Sequence, residues 1–142
     1  LTQLIDEVNW GELDFLVVDL PPGTGDAYLA ILQKLKIDET FVVTTSQSLA
    51  LADTIKGMNL MLKFNVPITG IIENMSFFKC DNCDKNHYLF GKDGVENLAK
   101  QFNTKVVAKL PIFNNSEKSF IFSDSDNNEL QSVVNNLANK LK

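Results

Sequence analysis

The chain reads as an α/β domain: a mainly parallel sheet with helices on both faces. Two observations predict this. Short apolar runs rich in β-branched residues, Phe15-Leu16-Val17-Val18, Phe41-Val42-Val43 and the stretch from Ile68 to Ile72, alternate with segments of helical periodicity. The connecting segments are also long enough for crossover helices rather than hairpin turns, which parallel pairing requires.

Leu1 to Asn9 carries Leu1, Leu4, Ile5 and Val8 at helical spacing and is predicted as the end of a helix. Trp10-Gly11-Glu12 turns the chain into a first strand, Asp14 to Leu20. Asp26 is an N-cap for a helix to about Lys36, with Leu29, Ile31, Leu32 and Leu35 as candidates for burial. Glu39 to Thr45 is a second strand. A long helix runs from Ser48 or Leu49 to near Asn65, and Pro67 marks its exit. Ile68 to Glu73 is a third strand, followed by a loop from Ser76 to Lys92. Asp93 caps a helix to about Phe102, and Lys105 to Leu110 is a fourth strand stopped by Pro111. The segment 114–126 is polar and irregular around Phe120-Ile121-Phe122. A last helix begins at Asn127, with Leu130, Val133, Val134, Leu137 and Leu141 on one face.

Composition narrows the function classes. With 44% hydrophobic and 22% charged residues the chain is expected to be globular. Its net charge of −5 disfavours a general nucleic-acid binder, which presents a basic face. No apolar run approaches the roughly 18 residues of a membrane span, and no basic segment precedes an apolar one at the N-terminus as in a signal peptide. Two cysteines in a single C-x-x-C do not make a disulfide framework. That usage suits a reducing compartment, the cytoplasm or a mitochondrial matrix.

Ligands of parallel sheets bind at the carboxyl ends of the strands, and the unusual residues collect there. Asp19-Leu20-Pro21-Pro22-Gly23-Thr24-Gly25-Asp26 follows the first strand. A carboxylate ending a buried strand is costly unless compensated, and in nucleotide-binding sheets the compensation is Mg²⁺, reached through water. The two prolines restrict φ, and the glycines let backbone approach phosphates. This is the pattern of a Walker B strand with its switch loop, against the plainer reading of a tight turn. Asp26 is read as a helix cap before a catalytic base. A P-loop would read G-x-x-x-x-G-K-[ST]. Gly91-Lys92 is followed by Asp93, and the first methionine is Met58, so the chain is expected to be the C-terminal part of a longer protein.

Cys80-Asp81-Asn82-Cys83 has metal-ligand spacing, but two thiolates half fill a tetrahedral site or a cluster. His87 adding a ligand, a second chain bringing two thiolates, or a redox dithiol are the ways to complete or use it. Two incidental surface thiols are the bland alternative, and His87 beside Tyr88 reads as a packing or hydrogen-bonding histidine. Asn74, where the third strand ends, has an amide able to donate to and accept from a base edge, though by itself it reads as a turn residue. Thr44, Thr45 and Gln47 are ordinary loop polars.

In this order the pieces resemble the Mrp/ApbC family of iron–sulfur carrier ATPases, of the MinD/ParA-like (SIMIBI) P-loop NTPases. The matching stretches are Trp10 to Phe15, Asp19 to Asp26, Thr44-Thr45-Ser46-Gln47 with Asp53 and Lys56-Gly57, and Asn65-Val66-Pro67. Further on come Glu73-Asn74-Met75-Ser76, the Cys80/Cys83 pair, His87 to Gly91, and Leu110-Pro111. The resemblance implies that residues 1–142 are the C-terminal part of one P-loop NTPase domain, from Walker B to the last helix, without its Walker A half. It implies Asp19 in the Mg²⁺ shell and Gly23 near the γ-phosphate of ATP as catalytic groups. Asn74 and the backbone at Pro111 would face the adenine. Cys80 and Cys83 of each of two subunits would bridge a [4Fe-4S] cluster destined for apo iron–sulfur proteins, matching the four thiolates such a cluster wants. The isolated chain is then expected to be inactive as an ATPase, and its sheet to have a gap where the P-loop strand lies between the first and second strands. Asp81 and Asp84 stand beside the thiols in place of the family's proline and glycine, and their charge is expected to weaken an anionic cluster. A partition or positioning ATPase with a structural Zn²⁺ on the C-x-x-C, and a non-catalytic remnant, are the alternative readings.

Overall fold

The computed structural model describes residues 7–20, 23, 25–80, 82–112, 135, 138 and 139. Seven elements follow in order: α1 (Asp26–Lys34), β1 (Phe41–Thr44), α2 (Ser48–Lys63), β2 (Gly70–Lys79), β3 (Asn86–His87), α3 (Gly94–Gln101) and β4 (Val106–Pro111). The α/β class expected from the sequence holds. β2 is central: β1 pairs parallel with it from Phe41↔Gly70 to Thr44↔Glu73, and β4 pairs parallel with it from Ile71↔Val106 onward. β3 pairs with the far end of β2 antiparallel.

Two apolar clusters hold the helices to the sheet. Met58 of α2, Ile71 of β2 and Val95, Leu98 and Ala99 of α3 are buried together, with Val42 and Val106 packed against them. Tyr28 and Leu32 of α1 pack on Met61 and Val66. The helix α2 serves both clusters because Met58 and Met61 stand three residues apart, one turn along the same face. Close approach of β2 and β4 depends on Gly70, where a Cβ would lie 2.4 Å from Val107 Cγ1. Val43, pointing to the opposite face of β1 from Val42, is 60% exposed.

The structure corrects four expectations. Asp14 to Leu20 is not a strand: among the described residues nothing pairs with it. Phe15, Leu16, Val17 and Val18 are exposed, Val17 by 86%. An apolar β-branched run becomes a strand only when a neighbour supplies a ladder and a buried face. Leu20 at its end packs on the Tyr28 cluster. Second, β2 continues past Glu73 to Lys79, so the expected loop from Ser76 to Lys92 begins as strand and returns as β3. Third, Gly25 and not Asp26 occupies the N-cap of α1. Asp26 is the first helical residue, where its charge favours the helix N-terminus. Fourth, residues 7–9 are not helical. The expected helix over 1–6, the irregular segment 114–126 and the start of the last helix at Asn127 lie outside the described residues. Asn135, Ala138 and Asn139 are helical.

Candidate functional site

The carboxyl ends of β1, β2 and β4 converge around one buried carboxylate. Glu73 is 1% exposed. Ser46, in the turn after β1, donates from Oγ to Glu73 Oε1 at 2.5 Å, and Lys109 Nζ of β4 lies 3.7 Å from Oε2. Lys109 also pairs with Glu96 of α3 at 2.8 Å. The Glu96 hydrogen bond, joined by the charges of Glu96 and Glu73, raises the Lys109 pKa above the ordinary 10.5, against the opposing effect of burial. Glu73 Oε2 has no hydrogen-bond partner among the described residues. A buried carboxylate held by one hydroxyl and one partly exposed ammonium ties four elements together at the sheet edge. Glu73 is the residue that reading the sequence motif by motif undervalues. The signal was a lone acid directly after the stretch Ile68 to Ile72 in a central strand.

Just beyond Glu73 the strand bulges. The pairing of β2 with β4 shifts register between Glu73 and Phe77, and Met75 sits at φ 51°, the left-handed region an unbranched side chain rarely enters. Asn74 Oδ1 accepts the Met75 N–H at 2.9 Å, so the Asn74 amide closes the local turn. Phe77 then rejoins β4 opposite Pro111, and Ile112 N–H donates to Phe77 O at 2.7 Å. Asn74 and Pro111 therefore come to the same edge, on neighbouring strands.

Past Phe77, β2 leaves the parallel sheet and forms a hairpin with β3, Phe78↔His87 and Lys79↔Asn86. The tip is closed by two backbone hydrogen bonds. Cys80 N–H donates to Lys85 O at 3.0 Å, and Asp84 N–H to Cys80 O at 2.9 Å, with Asp84 at φ 55°. Cys83 is exposed and Cys80 half-buried, and both carry thiols. One ligand atom each of Cys80, Cys83 and His87 lie within 4.8 Å of one another. Lys79 Nζ lies 3.5 Å from Asp84 Oδ1, so a cation already faces one of the two acids expected to oppose an anionic ligand. Tyr88 packs its ring against Phe77 at 6.4 Å between centroids, and Lys92 Nζ stands 5.4 Å over the same ring.

Asp19 and Gly23 stand apart from this edge in kind: both are exposed, on chain that belongs to no element. Gly23 has φ 93°, a conformation that favours glycine. Pro21, Pro22 and Thr24 lie outside the described residues. The buried part of Thr44 bonds to Thr54 Oγ1 at 2.7 Å, a structural role. A surface depression of about 350 Å³, lined by Ile68, Thr69, Asn103, Thr104 and Lys105, opens at the amino ends of β2 and β4, away from the thiols and Asn74.

A parallel α/β sheet with its unusual groups at the strand ends defines a class, the ligand-binding α/β proteins, and a solved structure narrows it to nucleotide binders. A nucleotide-binding protein of Archaeoglobus fulgidus, described in complex with ADP and with cobalt, superposes with a TM-score of 0.66 at 36% identity over 80% of this chain and 46% of that one. The chain belongs to the family described as NUBPL iron-transfer P-loop NTPase, whose model matches residues 1–142. An iron–sulfur cluster carrier protein of Pseudomonas fragi is 45% identical over 112 residues, 79% of this chain and 39% of its own length. The iron–sulfur cluster transfer protein NUBPL of Dictyostelium discoideum is 43% identical over 79% of this chain and 35% of its own length. The chain thus spans well under half the length of these relatives.

Proposed function

We propose that this chain is the cluster-bearing part of an ATP-dependent iron–sulfur carrier, in which the Cys80/Cys83 pairs of two subunits hold a [4Fe-4S] cluster as cargo for apo iron–sulfur proteins. The observation that carries the reading is the C-x-x-C at the exposed tip of a hairpin. A structural metal knuckle is normally closed within one chain, whereas two thiolates raised clear of the sheet leave room for a second pair. The family's iron-transfer description and the names of the relatives support it over a partition ATPase with structural zinc.

The nucleotide part of the proposal rests on Asp19, Gly23, Asn74 and Pro111. Asp19 offers the hard oxygen that Mg²⁺ prefers, and the ion, when bound, neutralises phosphate charge. Gly23, free to take positive φ, lets backbone N–H groups approach a γ-phosphate. Asn74 and the Pro111 backbone lie at one edge suited to a base. Phosphoryl transfer to water then depends on positioning rather than on a covalent intermediate. No helix among the described residues is long and apolar enough to cross a membrane. A reducing compartment, cytoplasm or matrix, goes with free carriage of a thiolate-bound cluster.

Anaerobic reconstitution of the full-length protein with iron and sulfide tests the reading. The expected product is a brown dimer with four irons per two chains, lost in Cys80→Ser. A colourless monomer overturns it.

A further inference from the structure

The hairpin register brings a third donor to the two cysteines. Phe78 stands opposite His87, and Cys80, one residue past the end of β2, follows Phe78 by two residues while its N–H continues the pairing to Lys85 O. Cys80 and His87 are therefore diagonal neighbours across an antiparallel pair, a relation that brings long side chains into contact. The turn bonds at Cys80 N–H and Asp84 N–H close the tip that carries Cys83. The result is three soft or borderline donors within 4.8 Å. Bonds of about 2.3 Å to sulfur and about 2.0 Å to nitrogen set tetrahedral donors roughly 3.5 to 3.8 Å apart. Closing the remaining gap takes at most about 1.3 Å, within reach of rotation about χ1 of the exposed Cys83 and χ1 and χ2 of the exposed His87.

We infer that Cys80, Cys83 and His87 form a three-donor site that takes one divalent transition-metal ion, such as Zn²⁺, Co²⁺ or Fe²⁺, on a single chain, with the fourth position open. This deepens the carrier reading, because the same two thiols serve the bridged cluster. The single-ion state differs from the bridged one in stoichiometry, nuclearity and use of His87. On binding, each thiol gives its proton to the buffer and the imidazole binds through a neutral nitrogen, so two thiolates cancel the charge of the ion. The open fourth position separates the site from a closed structural knuckle and gives the ion a route out by ligand exchange. One chain can then hold metal before a second chain arrives, and a resident ion blocks the thiols the cluster needs.

Titration of the full-length, reduced protein with Co²⁺ alone reads this state. The expected result is one ion per monomeric chain, with sulfur-to-cobalt charge-transfer and tetrahedral d–d absorption. Cys80→Ser abolishes both. Loss of an outer-shell partner of a metal ligand already lowers affinity about 10–100-fold, so His87→Ala is expected to weaken Co²⁺ at least about tenfold and to change the d–d bands. It is also expected to keep iron–sulfur reconstitution. Half an ion per chain in a dimer, absence of uptake, or a His87→Ala variant with unchanged affinity and spectrum overturns the proposal. Loss of both Co²⁺ and cluster in His87→Ala marks His87 as structural and overturns it too. A protein that fills with Co²⁺ but forms no cluster supports the three-donor site while removing the carrier reading.

Discussion

Two apolar runs of similar composition meet opposite fates in this chain. Ile68-Thr69-Gly70-Ile71-Ile72 sits between β1 and β4, and Ile71 is completely buried. Phe15-Leu16-Val17-Val18 has no ladder partner among the described residues and lies exposed. Intrinsic β-propensity is the same kind of signal in both. What differs is whether neighbours exist to receive the backbone groups and the side chains. Strand formation is a property of the sheet, and a sequence read by itself reports only the willingness to join one.

Stability measurements can break that contrast. The largest expected effect is in the paired region. Met58→Ala empties a fully buried site beneath Ile71 and Val95, and should cost about 2–5 kcal/mol in chemical denaturation of this chain. Val17→Ala, at an exposed position, should stay within about 0.5 kcal/mol. A large loss from Val17→Ala in the 142 residues alone would show that segment 15–18 is buried after all. The same substitution in a longer protein that supplies the neighbouring strand should move toward the Met58 value.

The middle-sized effect concerns the carboxyl edge. Lys109→Met leaves Glu73 buried beside one hydroxyl, and should cost about 1–3 kcal/mol, while Glu73→Gln, which keeps an acceptor for Ser46, should cost less. The pH dependence has a definite sign. Lys109 is raised by Glu96 and its neighbouring charges, and Tyr28 is raised by burial. A raised pKa contributes stability fully present below the unfolded value and lost as pH rises through the folded one. Both contributions therefore hold below about pH 10 and fade above it, the ordinary values being 10.0 for Tyr28 and 10.5 for Lys109. Denaturation midpoints from pH 8 to 11.5, a range set by those groups, should fall at the alkaline end. The fall should be shallower in Lys109→Met.

A smaller effect than at the carboxyl edge is expected at the hairpin tip. Lys79→Ala removes an exposed ion pair with Asp84 and should change stability by less than about 1 kcal/mol. It should nevertheless loosen an anionic ligand on the thiols, read as faster loss of the cluster to a chelator. An unchanged loss rate would mean that the Lys79 charge is too well solvated to matter there.

What could be read from the sequence follows the same physics. The helices α2 and α3 and the strands β1 and β4 emerged close to their expected bounds, because their periodicity and their Pro67 and Asp93 boundaries act locally. The thiol pair was legible from spacing. The hairpin that presents it was not, since the β2 extension through Met75 needs a positive φ in an ordinary residue and a register shift against β4. Nothing in Ser76 to Lys92 announces that His87 returns beside Cys80, as pairing across a turn is a long-range outcome. Glu73 was visible only as part of a motif. Its burial and its tie to Lys109 come from the meeting of three strands.

One strand, β2, is both the keel of the sheet and the stalk of the thiols. Seven residue steps separate Glu73 from Cys80, roughly 23 Å if fully extended. A tilt of about 5° at the Asn74–Met75 bulge would swing the sulfurs by roughly 2 Å over such an arm, close to one metal–sulfur bond length. The backbone angles at Asn74 and Met75 thus set where the thiols stand relative to the parallel sheet.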